Sequence, residues 1–210
     1  MRSPQAADRR RTGSSALVVV LCALLVVMLA AAAPALAASA KVASGGTALT
    51  IPKAQVTALT AENVALLNIS PMSFRFQWSS GVSWWFAAPM ARGGTFDYAA
   101  KKGTLYHDGG LRFVNVANDS SLRMEGMRFI ANGPTSFTVS AAVGDAPATR
   151  ANVFIATNAP KFTKRGKSIR IDGVQFKLTE QGALAIKLAL GVDLSTATLF
   201  SDTDLQFKIK

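Results

Sequence analysis

Few side chains in this sequence have the type and spacing to do chemistry. The single histidine, His107, stands between Tyr106 and Asp108. A serine-type triad needs a histidine held by a carboxylate with a serine in reach. Neighbours along a strand point to opposite faces, so Asp108 is badly placed to orient His107, and no Gly-x-Ser-x-Gly elbow occurs anywhere. One histidine and one cysteine, Cys22, cannot build a nitrogen–sulfur metal centre. Asp202 and Asp204 form a D-x-D pair able to hold a hard cation such as calcium, although an isolated pair of this kind reads first as a solvated turn. There is no phosphate-binding loop and no dinucleotide fingerprint. The expectation is a non-enzyme with no catalytic residues and no metal.

Two other groups have the composition of binding surfaces. Trp84 and Trp85 are adjacent, so one of them faces away from the side that Phe74, Phe76 and Trp78 share. Tryptophan is favoured where apolar area meets polar edges, and an outward indole would suit a planar or apolar ligand or a partner protein. The alternative is burial of both faces. Lys161, Lys164, Arg165, Lys167 and Arg170 are the densest cluster of charge outside the N-terminal segment. A turn at Arg165-Gly166 would gather them at one hairpin tip, either as an electrostatic contact for an anionic surface or as lysines protecting a sheet edge.

The elements that must position these residues are mostly strands. Phe74 and Phe76 alternate with Arg75 and Gln77, and Trp84 and Phe86 alternate on the return, so residues 73–87 read as a hairpin turning at Ser79-Ser80-Gly81. Further strand patterns occur at 47–51, 63–69, 95–98, 105–114, 122–129, 137–143, 152–157 and 205–209. A change of parity at Gly126 suggests a β-bulge, and Asn132-Gly133 and Asp172-Gly173 read as hairpin turns. Pro52 opens a short helix to about Ala61. A second helix runs from Glu180 to about Leu190, capped by Thr179 and stopped by Gly191, with Leu184 and Leu188 on one face. Gly182 inside it costs about 1 kcal/mol relative to alanine. The expected fold is mainly β, an antiparallel curved sheet or sandwich with two short helices.

The N-terminus reads as an export signal. Arg2 and Arg9-Arg10-Arg11 precede a charge-free apolar run from Ala16 to Ala33, Pro34 ends it, and Ala35-Leu36-Ala37 supplies a small-x-small cleavage pattern, with a second at Ala38-Ser39-Ala40. Residues 1–37 are thus expected to be a cleaved Sec signal peptide, 38–46 a flexible lead-in and 47–210 one β-rich domain. From Ala38 onward no cysteine remains, so the domain has no disulfide. Nineteen Lys plus Arg stand there against 11 Asp plus Glu. The positive excess favours anionic partners. Outside the cytoplasm these are phospholipid headgroups, wall polymers and the like, whereas export argues against nucleic acid.

From Phe86-Ala87-Ala88-Pro89 through Gly94-Thr95-Phe96-Asp97 to Gly103-Thr104-Leu105-Tyr106-His107-Asp108-Gly109-Gly110-Leu111, the pattern resembles the secreted HtaA-type domains of actinobacteria. In those domains a G-x-x-D segment precedes a strand, a Gly-Gly-Leu turn and another strand. The resemblance implies a cell-surface domain that binds haem through a tyrosine in an aromatic N-terminal segment. That segment here holds tryptophans and phenylalanines but no tyrosine, so the resemblance leaves Tyr98 or Tyr106 as axial ligand and His107 as its partner or distal donor.

Taken together, the expected function is that of an exported, non-catalytic binding or interaction domain of the cell envelope. It would need no cofactor, and any contact with the membrane would be peripheral once the signal is removed. The alternative is a haem-binding or haem-relay domain. Intact mass of the released protein is expected to begin at Ala38 or Lys41. A dominant full-length species embedded in the membrane would replace cleavage with an uncleaved anchor.

Overall fold

The computed structural model describes residues 39–77, 83–145, 147–194 and 198–210. The expected signal peptide, Trp78 and the Ser79-Ser80-Gly81 turn lie outside them. Strand β1 spans Ala40–Ile51, and Pro52 caps helix α1, Lys53–Ala61. There follow β2 (Val64–Ile69), β3 (Ser73–Gln77), β4 (Ser83–Pro89), β5 (Thr95–Asp97), β6 (Lys102–Tyr106), β7 (Gly110–Asn115) and β8 (Ser120–Asn132). The remainder is β9 (Phe137–Val143), β10 (Thr149–Ala156), β11 (Lys161–Arg165), β12 (Ser168–Leu178), α2 (Glu180–Leu190) and β13 (Thr198–Ile209). The expected antiparallel, mainly β fold with two helices is the one observed.

The pairings close on themselves. β1 pairs with β13, β13 with β12, then β10, β9, β8, β6 and β5 follow in turn, and β5 returns to β1, every pair antiparallel. Three long strands change partner midway on one side: β1 passes from β5 to β4, β8 from β7 to β6, and β12 from β11 to β10. At each change a flap leaves the ring, namely β4–β3, β7–β2 and β11. Closure satisfies edges that would otherwise stay open.

The interior follows from period-two alternation. Leu49, Ile51, Phe96, Leu105, Phe129, Val139, Ile171, Phe176, Leu205 and Phe207 are all essentially inaccessible. Edge-to-face pairs lock facing strands: Phe96 on Phe207 at 5.3 Å between ring centres, Phe129 on Phe176 at 5.7 Å and Phe154 on Phe200 at 5.2 Å. Such pairs add about 1 kcal/mol each beyond the area they bury.

Two local expectations change. β1 starts at Ala40, inside the stretch expected to be a flexible lead-in, because Ala40 and Lys41 pair with Phe96 and Thr95 and the Lys210 amide donates to the Lys41 carbonyl. Asp172-Gly173 is not a hairpin. β12 continues through it, and the register against β13 shifts between Ile171 and Val174, with Gly173 at φ 71°. The hairpin turn expected at Arg165-Gly166 is present, between Arg165 and its partner Ser168. The expected bulge at Gly126 is present, as a register shift between Glu125 and Arg128.

Helix α2 has its predicted ends: Thr179 accepts from the Gly182 amide at 3.0 Å, and Gly191 closes the helix with φ 74°. Its packed face differs from the leucine pair read from the sequence. Gly182, Ala183, Ile186 and Leu190 are buried, while Leu184 and Leu188 are 57% and 78% exposed. Gly182 explains the choice. A Cβ there would lie 2.4 Å from the Val153 carbonyl oxygen, so glycine lets the helix touch β10. Gly182→Ala is expected to destabilise by about 2 kcal/mol despite its better helix propensity. Urea unfolding measures this, and a variant as stable as the parent would refute the close approach.

Candidate functional site

The aromatic hairpin divides its two tryptophans. Phe74 pairs across from Phe86 and Arg75 across from Trp85, so Trp84 shares the inward side with Phe86 while Trp85 turns outward. Trp84 packs against the core and meets Phe74 edge-on at 6.2 Å. On the outer face, the Arg75 guanidinium carbon stands 6.0 Å from the Trp85 ring.

Trp85 forms one wall of an open groove of about 580 Å³. Its floor is made by the outward residues Ser44, Gly46 and Ala48 of β1 and Ala87 of β4, and its far wall by Gln206 and Lys208 of β13. The register dictates this arrangement. Ala48 pairs with Ala87, Gly46 with Gln206 and Ser44 with Lys208, and directly paired residues share a face. Small residues on the middle strand, between larger ones on both neighbours, leave a trough two strand spacings wide, about 10 Å.

A second hollow of about 360 Å³ adjoins it, lined by Thr163, Arg165, Ile169, Arg170 and Asp172 and sharing Ser168 and Gln206 with the groove. The basic hairpin is therefore the groove's continuation, but its five cations do not act together. Arg165 and Arg170 fall on the groove face, opposite Ser168 and Thr163. Lys164 belongs to the other face, where its ammonium lies 5.5 Å from the Tyr98 ring. Lys161 and Lys167 are exposed.

Arg170 is neutralised by ion pairs with Asp172 and with Asp204 at 3.2 Å, partners that raise its pKa. Asp204 also accepts from the Gly173 amide at 3.1 Å, which gives the D-x-D pair a structural task at the β12 bulge. Burial, with Asp204 and Asp172 nearby, pushes the Asp202 carboxyl up, and Arg170 opposes this. Among the described residues no group of three or more His, Cys, Asp or Glu could hold a metal ion.

The tyrosines and the histidine do not converge. Tyr98 donates from its hydroxyl to the Phe162 carbonyl at 3.5 Å, and the Lys101 ammonium sits 3.0 Å from its ring centre. Tyr106 lies on the outer face with the Arg128 guanidinium carbon 5.3 Å from its ring. His107 points the other way, 2% exposed, sharing a 2.6 Å hydrogen bond between Nε2 and Thr47 Oγ1 and lying 4.6 Å from the Phe129 ring. Among the described residues its Nδ1 has no hydrogen-bond partner. Of the five ligand candidates in the sequence, only Trp85 lines the groove. Gln206, Lys208 and the small floor residues were missed, because nothing but strand register brings them beside the indole.

No family model and no curated protein matches the chain. Solved structures do. The C-terminal domain of HtaA from Corynebacterium glutamicum superposes with a TM-score of 0.58 at 13% identity, over 82% of this chain and 100% of that one. The N-terminal domain of the same protein gives 0.50 at 16% identity, over 80% and 99%. The chain shares the HtaA-domain fold, as the glycine-rich motif suggested. No helix among the described residues is long and apolar enough to cross a membrane.

The histidine has a measurable signature. Burial lowers its pKa from 6.5 to about 4, against the Leu105 and Met127 carbonyls, which raise it. Between those two values the unfolded chain takes up a proton that the folded one refuses. This contribution to stability is therefore complete above pH 6.5 and is lost as pH falls towards about 4, by about 3 kcal/mol in all. Urea midpoints measured across this range should fall in the parent and flatten in a His107→Leu/Thr47→Val variant, which removes both polar partners. An unchanged slope in the variant would assign the acid sensitivity elsewhere.

Proposed function

We propose that the protein is an exported, non-catalytic binding domain of the cell envelope that holds an anionic, partly apolar envelope component in the groove between Trp85 and Lys208. The groove itself carries this reading: an indole wall, a floor of small residues and a cationic far side that runs on to Arg165. The surplus of positive charge on the domain steers such a ligand from a distance, and the indole supplies apolar contact once it arrives. Among the described residues no catalytic constellation lies beside the groove, and the proposed role is to bind and orient. Contact with a membrane would be peripheral, through headgroups at the basic hairpin, and nucleic acid is not the partner.

Binding to isolated wall polymer or to anionic vesicles should fall steeply with salt, since exposed charges are screened over about 8 Å at physiological ionic strength. Trp85→Ala and the pair Lys208→Ser/Arg165→Ser should each weaken binding by about tenfold, with little change in melting temperature. Lys164→Ser should have little effect. Equal losses at Lys164 and Lys208 would reduce the effect to bulk charge and remove the groove from the reading.

Haem is the second reading, favoured by the shared fold and by one observation: among the described residues the Tyr106 hydroxyl has no hydrogen-bond partner. The donor set does not fit a haem pocket. Tyr98 is engaged by Phe162 and Lys101, His107 is inside the core, and Tyr106 stands among arginines and away from the groove. Ferric haem added to the protein should associate without fixed stoichiometry. A sharp one-to-one Soret band abolished by Tyr106→Phe would displace the groove reading.

A further inference from the structure

We propose that Arg128 and Arg150, with the Tyr106 hydroxyl, form a binding site for a phosphate-type oxyanion, on strands that contribute nothing to the groove. Tyr106, Arg128 and Ser140 lie opposite one another across β6, β8 and β9 and so share one face. Arg150 reaches over from β10, with its Nη1 3.1 Å from the Gly126 carbonyl and 3.5 Å from Ser140 Oγ. The bulge makes this possible. Gly126 adopts φ 56°, which turns its carbonyl out of the ladder and gives the guanidinium a fixed anchor.

Two like charges are thus held together. Burial first, and then the Arg128 charge, depress the Arg150 pKa. Among the described residues neither guanidinium has an ion-pair partner, and Glu125, three residues before Arg128, is paired with Arg123. A bound anion supplies the missing counter-charge. Guanidinium forks match phosphate oxygens bidentately. Two forks and two hydroxyls offer more donors than the two oxygens of a carboxylate can accept, which favours a tetrahedral oxyanion.

The test is calorimetric titration of the full chain with inorganic phosphate at constant ionic strength. In parallel, binding is measured to phosphatidylcholine vesicles with and without phosphatidic acid. Saturable one-site binding is expected, weakened about tenfold by Arg128→Gln or by Arg150→Gln and unchanged by Arg112→Gln, an arginine on β7 whose guanidinium donates to Ser121 and whose loss frees no carboxylate. Binding of both probes that depends on Arg128 and Arg150 identifies a lipid headgroup as the source, and binding of inorganic phosphate alone identifies a soluble phosphate. No saturable binding of either probe, or equal losses in all three variants, would overturn the site. Melting curves of each variant confirm that the fold is retained.

Discussion

Everything described depends on the pairing of β13 with both β1 and β12. Without it the eight-strand ring is an open, curved sheet whose two ends expose unpaired amides and carbonyls. With it, Leu49, Ile171, Leu205 and Phe207 are enclosed on the inside. On the outside, Ser44, Gly46, Gln206, Lys208 and Ser168 are brought into adjacent rows. The groove floor and far wall lie on the opposite face of the same three strands, and β4 adds Ala87 and the Trp85 wall. Gly45 shows how tight the contact is: a Cβ there would sit 2.5 Å from the Gln206 carbonyl and 2.6 Å from Phe207 Cβ. Any side chain at that position would push β1 and β13 apart.

How much could be read from the sequence follows from the range of each interaction. Alternation, turn residues and caps act over a few positions, and they gave the strands, the Gly126 bulge and both ends of α2. Asp172-Gly173 misled because a positive-φ glycine serves a bulge as well as a turn. The residue that decided between them, Asp204, lies thirty-one positions on. Leu184 and Leu188 misled because helix burial depends on what the helix approaches. At Val153 the neighbour is a backbone carbonyl that only Gly182 can accommodate. The groove was half legible. Period two required one of Trp84 and Trp85 to face outward, but the identity of its neighbours is a property of long-range register, which carries no local signal.

The same constraint explains why the chemically suggestive residues scatter. Tyr106 and His107 are consecutive, so a strand sends one to each side of the sheet, the first among arginines and the second into the core beside Thr47. The basic hairpin is divided likewise, with Lys164 on the face of Tyr98 and Arg165 on the face of the groove. Local pairing divides it further, since two aspartates neutralise Arg170. A count of charges along the chain overstates the field at any one place, and a sequence cluster on a β-hairpin is in space two smaller clusters back to back.

The order of the strands also governs when the protein can exist as a folded object. The ring closes between its first strand and its thirteenth, with eleven strands and both helices in between. Contacts of such large sequence separation form late and slowly. A chain made N-terminus first holds one edge of β1 unpaired until β13, the last strand, is delivered.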